Sequence, residues 1–335
     1  MKKFLFLSII FLTIITFFIF VVVFFIWREI KISNNYSFRE EKIFSIEKGQ
    51  NIFDIAKNLE KEKIIKNRFL FILYTFINNN YKKIQAGKYL ISSNLNIPQI
   101  VEKFVLGDTL KIKITIPEGF NISQIEEEFR KSFKGIDFEK FHISDFKKDF
   151  DFLSNMPDDA SLEGFLFPDT YFFDPDSEER EIIGAFLKNF NKKVVLKIND
   201  KIKNTKKPLF DIIIMASLIE KEVRTIEDKK IVSGILWKRL KADIPLQVDA
   251  TITYITGKNT TKISIEETQI DSLYNTYKYK GLPKGPIANP GIDSIIAAIE
   301  PFETNYWYYL SDRDGKTIFS VNYKQHLEAI KKHLR

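Results

Sequence analysis

Two carboxylates stand two positions apart near the end of a greasy segment, "DIIIMASLIEKEV", Asp211 to Val223. Burying an ionised group is costly, so Glu220 and Glu222 need a reason to be there. A carboxyl held against an apolar wall loses solvation of its charged form, and its pKa rises above the reference of about 4.3. Protonated near neutral pH, it can donate a proton to a leaving oxygen, which is how a glycosidase acid is tuned. On a helix, residues 220 and 222 lie about 200° apart around the axis. They therefore cannot both face one site as a paired acid and base. Glu220 shares its face with Ile213, Ala216, Ser217 and Val223, and Glu222 shares its face with Met215, Leu218 and Ile219. Both faces are apolar, which predicts a central helix packed on more than one side. Periodicity leaves a plainer arrangement open, with both acids past the last buried turn and paired to Lys221 or to Arg224, the latter i, i+4 from Glu220.

Two stretches downstream carry polar groups that could surround such an acid. One is "IPLQVDATITY" (Ile244–Tyr254), and the other is "YNTYKYKGLPKGPIANPG" (Tyr274–Gly291). The second is dense in Gly and Pro, with Asn275, Thr276, Tyr277 and Asn289 interspersed. It reads as a rigid irregular loop, since a flexible linker would be Ser-rich and lack aromatics. Rings that stack on sugar faces, with amides and hydroxyls that bond sugar hydroxyls, suit a saccharide cleft. A purely structural Ω-loop fits the same composition.

The whole chain narrows the classes. At 335 residues it can hold two or three domains. It has no Cys, which excludes disulfides, thiolate–metal sites and a Cys nucleophile. Its three histidines, His142, His326 and His333, lack metal-ligand spacing, so neither a metal nor a cofactor is expected. The net charge of +7 comes with a bias toward Lys, Ile, Asn and Phe, and most lysines read as solvated surface. Without an Arg-rich stripe, zinc finger or RRM signature, a nucleic-acid partner is not expected.

The elements that must position the acids follow from patterning. An uncharged run from Phe4 to Trp27 spans roughly 36 Å as a helix, more than the ~30 Å hydrocarbon core. "FFIWREIK" follows it in place of a small-residue cleavage site, so an uncleaved anchor over residues 1–28 is expected, with a connector at 29–41. "KIFSIEKGQ" alternates like a strand. "NIFDIAKNLEKEK" and "NRFLFILYTFINN" read as helices, the first capped by Asn51. "AGKYLISS" reads as a strand, and "NIPQIVEKFVLG" as a helix ending at Gly107. Residues 42–107 are thus a small α+β module. A larger, mainly helical α+β domain fills 108–335, opened by the alternating "TLKIKITIPEGF" and closed by a hairpin ("YWYYLSD", "KTIFSV") and a helix.

Taken in order, "SLEGFLFPDTYFF", "ASLIEKEV", "PLQVDATITY", "YNTYKYKGLPKGPIANPG" and "TIFSVNYKQH" resemble the endolytic murein transglycosylases (MltG, or YceG-like). The likeness covers nearly the whole chain, with "IQAGKYLI" in a module that resembles the family's LysM-like domain and "IPEGF" at the boundary. It implies an enzyme that cleaves the MurNAc–GlcNAc β-1,4 bond in nascent glycan strands and leaves a 1,6-anhydro-MurNAc end. It also implies a single-pass cytoplasmic (inner) membrane protein with the catalytic domain outside the cytoplasm, in contact with peptidoglycan synthases. One carboxylic acid protonates the glycosidic oxygen and then, as a base, accepts the proton of the sugar's own C6 hydroxyl. By motif alignment Glu220 takes the catalytic position and Glu222 the second acid's, with a structural or orienting role. Gln247, Asp249, Asn275, Thr276, Tyr277 and Asn289 fall where the cleft would be lined or supported, and His326 is expected to be a packed histidine. The family's "NRL" reads "KRL" (Lys238–Leu240) here, and its "SDP" reads "VDA" (Val248–Ala250). Two other readings remain: a glycan-binding scaffold without catalysis, and a hydrolase pairing Glu220 with Asp249.

Overall fold

The computed structural model describes residues 2–32, 41–92, 94–258 and 263–333. The expected connector at 29–41 falls mostly on residues 33–40, outside the described residues. The chain divides into two compact units, residues 1–112 with 174–176, and residues 113–173 with 177–335. Among the described residues it has three two-stranded sheets, and the α+β class read from the sequence holds.

The first unit begins with α1 (Lys2–Lys31), of which Ile9–Lys31 is long and apolar enough to cross a membrane. The helix runs past the expected anchor end at residue 28. Ile26 and Ile30 give the reason, because both pack on the core of the following module. That module runs β1 (Lys42–Ile46), α2 (Ile52–Lys61), α3 (Arg68–Ile77), β2 (Gly87–Ile91) and α4 (Ile97–Leu106), with β1 and β2 antiparallel. Asn51 caps α2 by accepting from the amides of Phe53 and Asp54, both at 3.0 Å. Asn96 and Gln99 form a capping box on α4, and Gly107 ends that helix in the left-handed conformation its lack of a Cβ permits. Phe44, Phe71, Tyr89 and Phe104 interlock at the centre.

The second unit is built around one helix. Strand β3 (Ile112–Thr115) is followed by α5 (Ile122–Arg130), then by its partner β4 (Thr170–Phe173), and then by α6 (Glu179–Phe190), α7 (Asn199–Thr205) and α8 (Leu209–Glu222). Then follow α9 (Ile226–Lys241), α10 (Asp249–Thr256), α11 (Ile292–Ile299), the hairpin β5 (Tyr308–Ser311) and β6 (Thr317–Ser320), and α12 (Tyr323–His333). Every residue of α8 from Ile212 to Ile219 is buried, as its two-faced apolar pattern requires. Helices α9 and α11 flank it. Ser217 on α8 accepts from the amide of Ile287 at 3.1 Å and so ties the Gly/Pro-rich loop to the helix. Gly164 brings another segment to the same place. A Cβ there would sit 2.6 Å from Ile213 and 2.7 Å from Pro286, and φ is +88°, so only glycine fits.

Candidate active site

Helix α8 ends at Glu222, and its last turn presents the two acids in opposite directions. Glu220 points into the protein. Its carboxylate accepts from Ser294 Oγ at 2.6 Å and from the Gly291 amide at 2.9 Å, and Lys229 Nζ lies 3.2 Å away. Glu220 and Lys229 are 9% and 5% exposed along their side chains, so this is a buried ion pair. Glu118 packs beside it, its pKa raised by burial first and by Glu220 second. Gly291 lies so close that a Cβ would stand 2.0 Å from Glu118 Oε1. The plainer pairing with Arg224 that the sequence left open is not what holds Glu220.

Glu222 points into a cleft of about 2020 Å³. Burial is the largest influence on it and pushes its pKa up to about 7. The Tyr309 hydroxyl and the Ala250 amide donate to it and pull the other way, while the nearby negative Asp249 adds to the rise. The apolar-wall argument made for Glu220 therefore applies to its neighbour. Glu220 is not among the residues that line the cleft. Glu220, expected from the sequence as the catalytic acid, stands here in a buried ion pair apart from the residues that line the cleft.

The other expected residues separate into two sets. Gln247, Asp249 and Tyr277 line the cleft with Glu222. Asp249 opens α10, accepts a hydrogen bond from the Tyr277 hydroxyl, and has its pKa raised by burial. Gln247 has a left-handed backbone (φ 53°), sparsely populated for a residue with a side chain and a mark of functional sites. Its amide donates to Thr276 O at 3.0 Å, and its Oε1 accepts from Arg239 Nη2 at 2.6 Å. Asn275, Thr276 and Asn289 are buried and do not line the cleft. Asn275 donates to Thr268 O and Ile270 O and accepts from the Tyr277 amide at 2.9 Å. Thr276 accepts from the Val248 amide at 2.9 Å. Asn289 donates to Phe120 O and Glu163 Oε1 and accepts from the Leu166 amide. These three hold the loops in shape, the supporting half of what was expected of them. His326 is stacked on Tyr308, ring centres 5.2 Å apart, and also lines the cleft.

Three residues of the cleft were missed in the sequence. Glu163 is 2% exposed and takes the Ile122 amide at 3.0 Å and Asn289 Nδ2 at 2.8 Å. Burial raises it to about 8, against the pull of those bonds. Its signal was an acid inside the apolar "SLEGFLF". Arg239 and Tyr309 gave none, because an Arg ending a helix and a Tyr in a hairpin are common surface residues.

The model of the YceG-like family matches residues 44–332. The chain belongs to the YceG-like family. The endolytic murein transglycosylase of Bacillus subtilis is 35% identical over 308 residues, 87% of this chain and 84% of that protein. The protein of the same name from Streptococcus pneumoniae is 29% identical over 86% of this chain, which spans 58% of that relative's length. A crystal structure of a YceG-like protein from Listeria monocytogenes has a TM-score of 0.60 and 31% identity, covering 87% of this chain and 99% of its own.

Proposed function

We propose that this YceG-like chain is an endolytic murein transglycosylase and that Glu222 is its acid. The observation that carries the reading is a desolvated carboxyl at the end of the central helix, with a pKa near 7, on the wall of a cleft large enough for several sugar rings. Protonated Glu222 gives its proton to the glycosidic oxygen as the C1–O bond between MurNAc and GlcNAc breaks. Positive charge builds on C1 of MurNAc. The C6 oxygen of the same sugar then bonds to C1, and the Glu222 carboxylate takes the hydroxyl proton, which restores the acid. No water is consumed, and the tethered nucleophile has little entropy left to lose. Asp249 raises the proton affinity of Glu222 and its charge favours the developing cation.

One observation favours a second reading. Asp249 and Glu222 share the cleft, and ordinary glycosidases use two carboxylates, one of which can activate water. Product mass separates the two, because hydrolysis adds one water and ring closure adds none. Full-length protein incubated with glycan strands should release fragments of anhydro mass, and Glu222→Gln should release none. Hydrated products would establish the hydrolase. Binding without release by the native protein would leave only a scaffold. In the same reading, α1 anchors the chain in the cytoplasmic membrane with the cleft outside, residues 42–107 act as a LysM-like glycan hold, and peptidoglycan synthases are neighbours.

A further inference from the structure

Arg239, the last arginine of α9, is 7% exposed overall, yet it lines the cleft. Among the described residues no carboxylate lies within ion-pair distance of it, although a buried cation normally has one. Its Nε and Nη2 donate to Pro245 O at 3.1 and 2.7 Å, and Nη2 also donates to Gln247 Oε1 at 2.6 Å. No described residue accepts from Nη1. Of the buried acids of the cleft, Asp249 is engaged with Tyr277, Glu222 with Tyr309, and Glu163 with the Ile122 amide and Asn289. The Tyr308 ring lies 5.8 Å from the guanidinium. His326, stacked on that ring, has a buried Nδ1 with no hydrogen-bond partner. Burial, and after it the charge of Arg239, keep this imidazole neutral. A desolvated guanidinium without a counter-ion and an imidazole with an unpartnered nitrogen thus both pack on the Tyr308 ring, on the wall of a saccharide-sized cleft.

We infer that Arg239, with His326 beside it, is a carboxylate-binding subsite that takes an acidic group of the peptide carried by the glycan strand. The inference rests on the cleft being the glycan site. A carboxylate there supplies the missing counter-charge, takes the Nη1 end of the planar fork, and accepts from His326 Nδ1–H in the corresponding tautomer. The bonds to Pro245 and Gln247 fix the guanidinium plane beforehand, so little side-chain freedom is lost on binding. The peptide would then set the register of the sugars against Glu222.

The test measures binding and cleavage by full-length protein in detergent, with three forms of one short glycan: peptide-bearing, the same with its peptide carboxylates amidated, and peptide-free. Native protein should bind the first about tenfold to a hundredfold more tightly than the other two, the range of one charge-assisted bond. Arg239→Gln should bring the KM of the peptide-bearing form to that of the other two, on top of any loss common to all three from the broken Pro245 and Gln247 bonds. Arg239→Lys should restore only part of the preference, because an ammonium lacks the fork. Equal binding of all three forms by the native protein overturns the subsite, whatever the variants do. So does an equal loss on all three in a folded Arg239→Gln, which would make Arg239 only a clamp on the 245–247 turn. Anhydro products from all three glycans without a carboxylate preference would retain the transglycosylase and lose the subsite. A carboxylate preference without cleavage would do the reverse.

Discussion

The two sides of the last turn of α8 hold chemically identical side chains in opposite circumstances. On one side, Glu220 meets an ammonium, a hydroxyl and a backbone amide, all of them donors aimed at its carboxyl oxygens. On the other, Glu222 meets a cleft wall, two donors and a second negative charge, and it holds a proton to about pH 7. Burial alone does not make an acid catalytic. What distinguishes the two is whether the cost of desolvation is met by a permanent cation or left for a substrate oxygen to exploit.

The sharpest way to break this contrast is to neutralise each acid separately. Glu222→Gln should lower product formation by about 10²–10⁴-fold, measured by chromatography of released fragments. Folding should be unharmed. Because the folded protein binds that proton more tightly than the unfolded chain does, native stability falls as pH rises from about 4 to 7, and the variant should recover up to about 3 kcal/mol of it above pH 7. Glu220→Gln should do the opposite. It leaves Lys229 buried without a counter-charge, at a cost of about 3–5 kcal/mol in thermal or denaturant melts, while activity per folded molecule stays within about tenfold. Replacing Glu220 and Lys229 together by apolar residues of similar size should recover much of that loss.

Changes around Glu222 sharpen the comparison with smaller effects. The alkaline limb of kcat/KM should fall near pH 7, since the acid must be protonated to act. Asp249→Asn removes a charge that raises the pKa, so the limb should move to lower pH. Tyr309→Phe removes a bond that favours the carboxylate, so it should move higher. Smallest for the reaction are Asn275→Ala and Asn289→Ala. Each should cost about 1–3 kcal/mol of stability by stranding buried partners. Neither should change KM by more than about twofold.

Much of the second unit could be read in the sequence because local pattern and tertiary role agree there. The apolar run of α8 demanded burial on all sides, and the 200° between residues 220 and 222 did separate the acids. The same geometry could not say which side was the cleft. That was decided by Lys229 on the next helix and by Ser294 on α11, partners nine and seventy-four residues away from Glu220. The loop at 274–291 was read as rigid from its Gly, Pro and aromatic residues, but its Asn and Thr side chains turned inward to bond backbone. Composition suggests sugar contacts and loop braces equally. Arg239 and Tyr309 became part of the site only because α9 and the hairpin converge on the end of α8.

The central claim is best tested by following the carboxyl protons themselves. Difference infrared spectroscopy of the native protein and the two Gln variants, titrated across neutral pH, separates the contributions of the two acids. A protonated-carboxyl component that fades near pH 7, persists in Glu220→Gln and is absent from Glu222→Gln, where only the Glu163 band that lasts to about pH 8 remains, is the expected result. The same band lost in Glu220→Gln and kept in Glu222→Gln would return the acid to position 220 and contradict the account.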